Sequence, residues 1–583
     1  MDMKKILFSI ICLTGAFLLQ SCSDETIDTK PAQFVNKDVI YTNSARILQF
    51  VNNLYTFLPK GYNRLGSVAD VGDDVGPTPG ANVLGSMVAA ATDEAVHASP
   101  NSGAEKWGTG NWGTTSSNNW DAPLNTIYTG IRRTYDYTND IHANLIVAPV
   151  SSISQITAAQ RDEYYGQAIF IRALLNFELL KRFGGYPIVR EALRADGNLI
   201  IPKSSYDECV EYIAGLCDEA VAVLPITYAA GDFGRATKGA ALALKGRLLL
   251  YAASPLNNAG NLLTKWQAAA AANAAVINLK NGAAPVYSLY TAGTGYDAFF
   301  TTLVGNNEII LSRIEPANAA IEQVNGLPQL VDGGGGTNPT LDLVNDYEMK
   351  DGTRFNWSNP THANAPFANR DPRFDKTILY NGVSWMGVTV ETFEGGKDKT
   401  GINPTRTGFF LRKFMGNSTK ATWIAPVVNT LHCFPIFRYG ETLLNYAEAM
   451  NEAYGPDDPA TYGLTARQAI ALIRTRAGLT ANQTVPSATS QSLMRDAIRH
   501  ERRIELAFEE HRHLDLRRWN LAVTVLNNKP VSGLKIVRSS GPPYTFTYTP
   551  EVVENRVFTE NMYRYPFPRE EVSRNPGIQN PGW

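Results

Sequence analysis

The sequence is short of what several function classes require. It has no basic surplus: 53 Lys plus Arg stand against 55 Asp plus Glu, a net charge of -2. A protein that holds nucleic acid by neutralising phosphates needs such a surplus. No long Lys/Arg run supplies one locally, so no nucleic-acid partner is expected. Cysteine is scarce, with five in 583 residues. Cys209 and Cys217 fall in one helical pattern, about 12 Å apart along the axis, which is beyond disulfide reach. Metal-type Cys spacing is absent. The seven His are scattered, without an HExxH. His511 and His513 are two apart and diverge on a helix, which argues against a zinc pair. No metal and no cofactor is expected. No uninterrupted apolar run reaches the 18 residues that read as a membrane-spanning helix. Disorder as the whole account is excluded too, because 44% hydrophobic and 19% charged residues are ordinary globular composition.

What is present begins with an address. Lys4 and Lys5 precede an apolar run from Ile6 to Leu19, too short to span a bilayer and laid out as a signal peptide. The run ends Leu19-Gln20-Ser21-Cys22, which resembles a bacterial lipobox. Cleavage would leave Cys22 to carry several acyl chains, a stable anchor where one chain is marginal. Ser23-Asp24-Glu25 follows directly and resembles the surface-export signal of Bacteroidetes lipoproteins. The expectation is a 1–21 leader, a lipidated tether over 22–40, and a bacterial outer-membrane protein facing the cell exterior.

Helical periodicity then dominates. It predicts helices over Asn43–Leu58, Leu84–Val96, Trp120–Val147, Arg161–Phe183, Tyr206–Leu224, Ala236–Ala253 and Thr264–Asn278. Gly184-Gly185 and Pro187 stop the clearest of them. Residues 60–119 form a Gly, Asn and Ser-rich loop interrupting this N-terminal part, 41–280. From 281 to 435 the periodicity vanishes into Gly, Asn and Pro, and a stretch this irregular inside a domain is usually functional. Within 436–583, helices resume at Gly440–Ala453, Thr465–Ala477 and Leu493–Glu510, followed from about 530 by a tail that reads as irregular. Paired helices at both ends suggest tetratricopeptide-like stacking, although the 34-residue signature is poorly matched.

The helical segments also carry motifs in a fixed order. They are Arg172-Ala173 with Phe183-Gly184-Gly185-Tyr186-Pro187; Ala236-Thr237-Lys238-Gly239 running to Leu250-Tyr251; Arg438-Tyr439 with Tyr446-Ala447-Glu448-Ala449; and Ile473-Arg474-Thr475-Arg476-Ala477-Gly478. Glu501-Arg502-Arg503-Ile504-Glu505-Leu506-Ala507-Phe508-Glu509 then leads to Asp515-Leu516-Arg517-Arg518-Trp519, and Pro566-Phe567-Pro568 and Asn580-Pro581-Gly582 close the chain. Behind a lipobox, this set resembles the SusD/RagB family of surface glycan-binding lipoproteins. The resemblance spans almost the whole mature chain and is weakest over 60–120 and 280–430. It implies a mainly α fold with four tetratricopeptide-like units and an irregular ligand-binding region. It implies a SusC-like TonB-dependent transporter as partner, an oligosaccharide as ligand, and no enzymatic activity.

The motif residues read as structural. Between Arg499 and Arg518 charges fall on every side of the helix, and such a helix needs partners for them. A buried ion-pair network joining the terminal helices is expected. Gly108-Thr109-Gly110-Asn111-Trp112-Gly113 fits GxGxxG, but a polar loop surrounds it where a strand and a helix are required. Its glycines are expected instead to shape a loop that displays Trp107 and Trp112. Sugar rings stack their C–H faces on flat aromatics, so these two Trp are platform candidates. Tyr296, Trp357 and Trp385 are further candidates in the insert. Asp73 and Asp74 offer carboxylates to hydroxyls or to calcium, and Arg370, beside Asp371-Pro372-Arg373, stands within reach of a ligand. A RagB-type peptide binder and a surface glycoside hydrolase are the alternatives. The hydrolase needs two carboxylates facing across a cleft, and Asp73/Asp74, Asp93/Glu94 and Glu570/Glu571 are only sequence neighbours.

Overall fold

The computed structural model describes residues 43–61, 87–100, 102–115, 124–147, 156–193, 197, 199–291, 296–330, 334–400, 404–416 and 430–583. Cys22, Asp73 and Asp74 lie outside them. Among the described residues no helix is long and apolar enough to cross a membrane.

Eight helices form the frame: α1 (Leu124–Tyr135), α2 (Ala158–Phe183), α3 (Tyr206–Val223), α4 (Lys238–Ala253), α5 (Leu263–Ile277), α6 (Tyr439–Tyr454), α7 (Ala466–Arg476) and α8 (Gln491–Glu505). Local chemistry fixes where they begin. Thr157, Ser205 and Thr465 each cap a helix and are bonded back by Gln160, Glu208 and Gln468, closing capping boxes. Thr237 and Ser490 cap α4 and α8. Gly184 ends α2 with φ +73°, a left-handed conformation that favours glycine.

Each helix packs on the next, α1 on α2, α2 on α3 and so on to α6, which carries both α7 and α8. The array is four helix pairs. Small residues let backbones approach: a Cβ on Gly246 would stand 2.6 Å from the amide oxygen of Asn273 on α5. Asn273 spends its own amide on the Gly246 and Ala269 carbonyls.

The third pair, α5 and α6, is interrupted by the loop-rich insert. Strands β2 (Ile309–Arg313) and β4 (Phe434–Arg438) run antiparallel and close the neck of that insert just before α6. Strand β1 (Ala95–His97) pairs with β3 (Thr337–Pro339) inside it. This corrects the expectation over 84–96: Val88–Ala91 is a single 3₁₀ turn and the following residues are a strand. The partner that makes it one arrives some 240 residues later. The tail is also more regular than expected. Strands β5 (Lys529–Arg538) and β6 (Phe546–Arg556) form a long antiparallel hairpin. The helix expected over 493–510 stops at Glu505, because Phe508 and Glu510 turn the chain with φ of +64° and +65°. A second short helix, Arg512–Arg518, follows.

The expected ion network is present and deeply buried. Glu505 accepts from Arg373, Arg438 and Arg476. Glu501 accepts from Arg373 at 2.5 Å and Arg474 at 2.9 Å, and Glu509 from Arg438 and Lys413. Asp515 joins Arg502 to Arg518, which also binds Glu448. Burial alone would raise the Glu505 carboxyl, but Arg476, Arg438 and Arg373 hold it well below the usual carboxylate range. The network links α6, α7 and α8 to the insert through Glu308, Glu348 and Arg373. Cys209, Cys217 and Cys433 are all buried free thiols.

Candidate ligand-binding surface

Most of the aromatic candidates are structural. Trp107 and Trp112 are only 5% and 7% exposed, so the expected open platform is corrected to a packed pair. Trp107 ends the short helix Gly103–Gly108 rather than standing in a loop. The two indoles stack at 4.1 Å with 10° between their planes. Tyr565 meets both edge-on and Trp583 covers Trp112 at 5.0 Å. Both covering rings come from the far C-terminus, which local reading of the loop had no means of supplying. Gly108 has a packing role too: a Cβ there would lie 2.2 Å from the Arg556 guanidinium.

Tyr296 is likewise core. Its hydroxyl donates to the Glu505 carbonyl at 2.7 Å, and the Lys413 and Arg476 cations lie 5.1 and 5.2 Å from its ring centre. Trp385 is buried among Leu327, Leu330 and Phe410, with the Arg412 guanidinium over it at 4.8 Å. Arg370 is buried and spends its donors on the Val344, Tyr347 and Pro366 carbonyls. Burial pushes its pKa down to about 10. Four of its five N–H donors are spent on these carbonyls, which clamps the loop around it.

Trp357 differs, because its ring is only half-buried. Its indole N–H donates to the Asn345 side chain at 3.0 Å, which fixes the ring's orientation. Phe355 meets it edge-on at 5.1 Å and 84°. His362 stacks on Phe355 at 5.5 Å and accepts the Asn356 backbone N–H through Nδ1. Three half-buried rings therefore make one corner, with Asn356, Ser358 and Asn359 exposed beside it.

The loop that carries this corner is tied at both ends. Lys350 and Asp371 backbone N–H groups bond the Asn369 and Glu348 carbonyls at 2.7 Å, closing the neck. Glu348 is then held by Arg474, and Asp371 by Arg373 at 2.8 Å. Arg370 sits beneath, its guanidinium 4.2 Å from the centre of the Phe355 ring. The buried network thus fixes the neck, and the neck fixes the aromatic corner. Flat apolar faces beside exposed amides can stack sugar C–H faces and bond hydroxyls.

The SusD family's sequence profile matches residues 312–583, which contain this corner and the network beneath it. A second profile, described as "Starch-binding associating with outer membrane", matches residues 80–250. The chain belongs to the SusD family. A SusD-like protein, P25, of Formosa agariphila is 23% identical over 542 residues, covering 88% of this chain and 90% of its own. A SusD-like protein of Bacteroides fragilis superposes with a TM-score of 0.74 at 24% identity, over 94% of this chain and 98% of that one. A SusD-like carbohydrate binding protein of the same species gives 0.69 at 24% identity, over 93% and 100%. These likenesses show that the helix pairs and the insert together are a SusD-like fold.

Within that fold the quoted motifs of the SusD family are chiefly the ion network itself: Arg438, Glu448, Arg474, Arg476, Glu501, Glu505 and Arg518 all bear buried charges in it. Reading the sequence for sites named Trp357 but passed over Phe355, His362 and Asn345. The signal was there in Phe355-Asn356-Trp357-Ser358-Asn359, an aromatic and polar alternation like the one weighed at Trp107. Asn345 had no signal, because only the folded loop brings it to the indole. Among the described residues no group of three or more His, Cys, Asp or Glu is placed to hold a metal.

Proposed function

We propose that this protein is a lipid-anchored, non-enzymatic binder on the cell exterior that captures an oligosaccharide or polysaccharide. It then delivers the chain to a SusC-like TonB-dependent transporter in the outer membrane. Membership of the SusD family supports the reading. The observation that carries it is the half-exposed Trp357 ring, held by Asn345 and cornered by Phe355 at the tip of a tied loop. Such a ring is costly to leave in water and rigid enough to stack a ligand without ordering entropy. Binding by this route needs no acid and no nucleophile.

Calorimetric titration against a panel of soluble polysaccharides tests the site. Trp357→Ala is expected to weaken the best binder by about 2 kcal/mol, roughly thirtyfold. Its melting temperature should stay close to the wild-type value. If the Ala variant binds as wild type does, this corner is not the site. A reducing-end assay on the same mixtures separates binder from hydrolase: release of reducing ends would overturn the non-enzymatic reading.

A further inference from the structure

A second set of half-buried rings stands next to the first. Phe367, Tyr380 and Tyr548 meet with ring centres 4.6 Å apart for Phe367–Tyr380 and 5.7 Å for Phe367–Tyr548. They come from three places, the end of the tied loop, the segment after the helix Pro372–Thr377, and strand β6 of the hairpin. All three are partly exposed. The two sets share a rigid base. The Arg370 guanidinium lies 4.2 Å from the centre of Phe355 and 5.3 Å from that of buried Phe374, and Phe374 stacks under Tyr380 at 5.0 Å. They are also close along the chain. His362 and Phe367 are five residues apart, at most about 18 Å even if fully extended.

The ground between them has a definite chemistry. From Ser358 to Asn369 the sequence carries no Asp, Glu, Lys or Arg. Asn364, Ala365, Ala368 and Asn369 are exposed there, small side chains alternating with amides. An amide offers two donors and two acceptor sites, which suits hydroxyls and gives no advantage to a carboxylate or sulfate. Beside the first set, Arg354 lies 3.8 Å from Asp346, a carboxylate that Arg503 also holds at 2.6 Å.

We infer that the ligand is an uncharged glycan several units long that rests on both ring sets at once, crossing the Ala363–Asn369 saddle. The inference rests on the function proposed above and narrows it to neutral chains. Two stations on one rigid base give a chain that reaches both an effective-concentration advantage that a short sugar lacks. Discrimination against acidic glycans follows from the saddle itself, where Ser358–Asn369 offers no Lys or Arg to pair with a carboxylate or sulfate.

The test uses the full chain with neutral starch and laminarin, anionic alginate and a sulfated galactan. Oligomers of increasing length are then cut from whichever polysaccharide binds best. Expected is binding to a neutral glycan, hardly changed between low and about half-molar salt. Tyr548→Ala should weaken a long chain about tenfold and leave a disaccharide nearly unaffected. Ala365→Arg, at an exposed position where folding is indifferent, should block the long chain alike. Preference for the anionic glycans, with salt-sensitive affinity, overturns the neutral-chain inference while leaving a glycan binder. So does a wild-type response of both Tyr548→Ala and Ala365→Arg to long chains, with Trp357→Ala still defective. Failure of all four polysaccharides to bind overturns the inference together with the function it rests on.

Discussion

Arg373 is the side chain that ties the ligand loop to the helical frame, so its removal tests the whole chain of reasoning. It lies at the first turn after Asp371 with its side chain 1% exposed. One nitrogen reaches Asp371 at 2.8 Å, and another reaches Glu501 at 2.5 Å and Glu505 at 3.0 Å. In Arg373→Met the apolar stem is nearly replaced and the charge is lost. Glu501 keeps Arg474, and Glu505 keeps Arg438 and Arg476. Asp371 keeps the backbone N–H of residue 373 and is the carboxylate left exposed to the low dielectric. Removing one member of a buried pair costs about 3–5 kcal/mol, against at most about 1 for a surface pair. A domain is stable by about 5–15 kcal/mol, so the loss is a large fraction of the whole. Arg373→Lys keeps a charge without the fork and should fall between the two. Urea unfolding gives the free energies, and the cost should be insensitive to salt because the pair is screened from solvent ions. The lowered Glu505 carboxyl adds a pH signature. Its stabilisation is complete above its unfolded value near 4.5 and drains away as pH falls towards the lower folded value. Part of that acid-side dependence should disappear in Arg373→Met. Glycan affinity should fall as well, since the neck at Asp371 positions Phe355 and Trp357. A loss of less than about 1 kcal/mol, with unchanged affinity, would refute the reasoning: the network would then be behaving as a set of surface pairs.

Three further outcomes are expected. Trp107→Ala should lower stability by about 3–5 kcal/mol in urea unfolding, because it opens a cavity under Tyr565 and beside Trp112, and leave glycan affinity in the surviving folded fraction unchanged. Burial pushes the Glu94 carboxyl up to about 8, so the folded chain holds a proton that the unfolded chain releases above about 4.5. Its stability contribution should therefore decline as pH rises between those values, by up to about 1.4 kcal/mol per unit, and Glu94→Gln should remove that slope from the stability profile. Cys22→Ala should abolish acylation and release the protein from outer membranes that lack the transporter, read by fractionation; retention there would mean a second anchor.

The sequence by itself determined the eight frame helices and their order, because those signals are local. Thr157 with Gln160 and Ser205 with Glu208 set starts, and Gly184 sets a stop, within a turn of the residues they govern. It also determined that the charges around Glu501–Arg518 must find partners, since a helix polar all round has no other use for them. Which partners they find was decided by tertiary structure alone. Arg373 meets Glu505 across 132 residues, and Arg438 meets Glu308 across 130. The same holds for the rings. Trp107 and Trp357 stand in similarly polar, Asn-bearing neighbourhoods, and local chemistry put Trp107 first and Trp357 among the further candidates. Tyr565 and Trp583 return from the C-terminus to bury the first pair, while Phe355 and Asn345 meet Trp357 and its ring stays half-buried. Strand β1 shows the same limit, because a strand exists only with a partner and its partner is Thr337–Pro339. Periodicity and caps are written within a few residues; burial depends on what arrives from elsewhere in the chain, and that is settled only when the chain has folded.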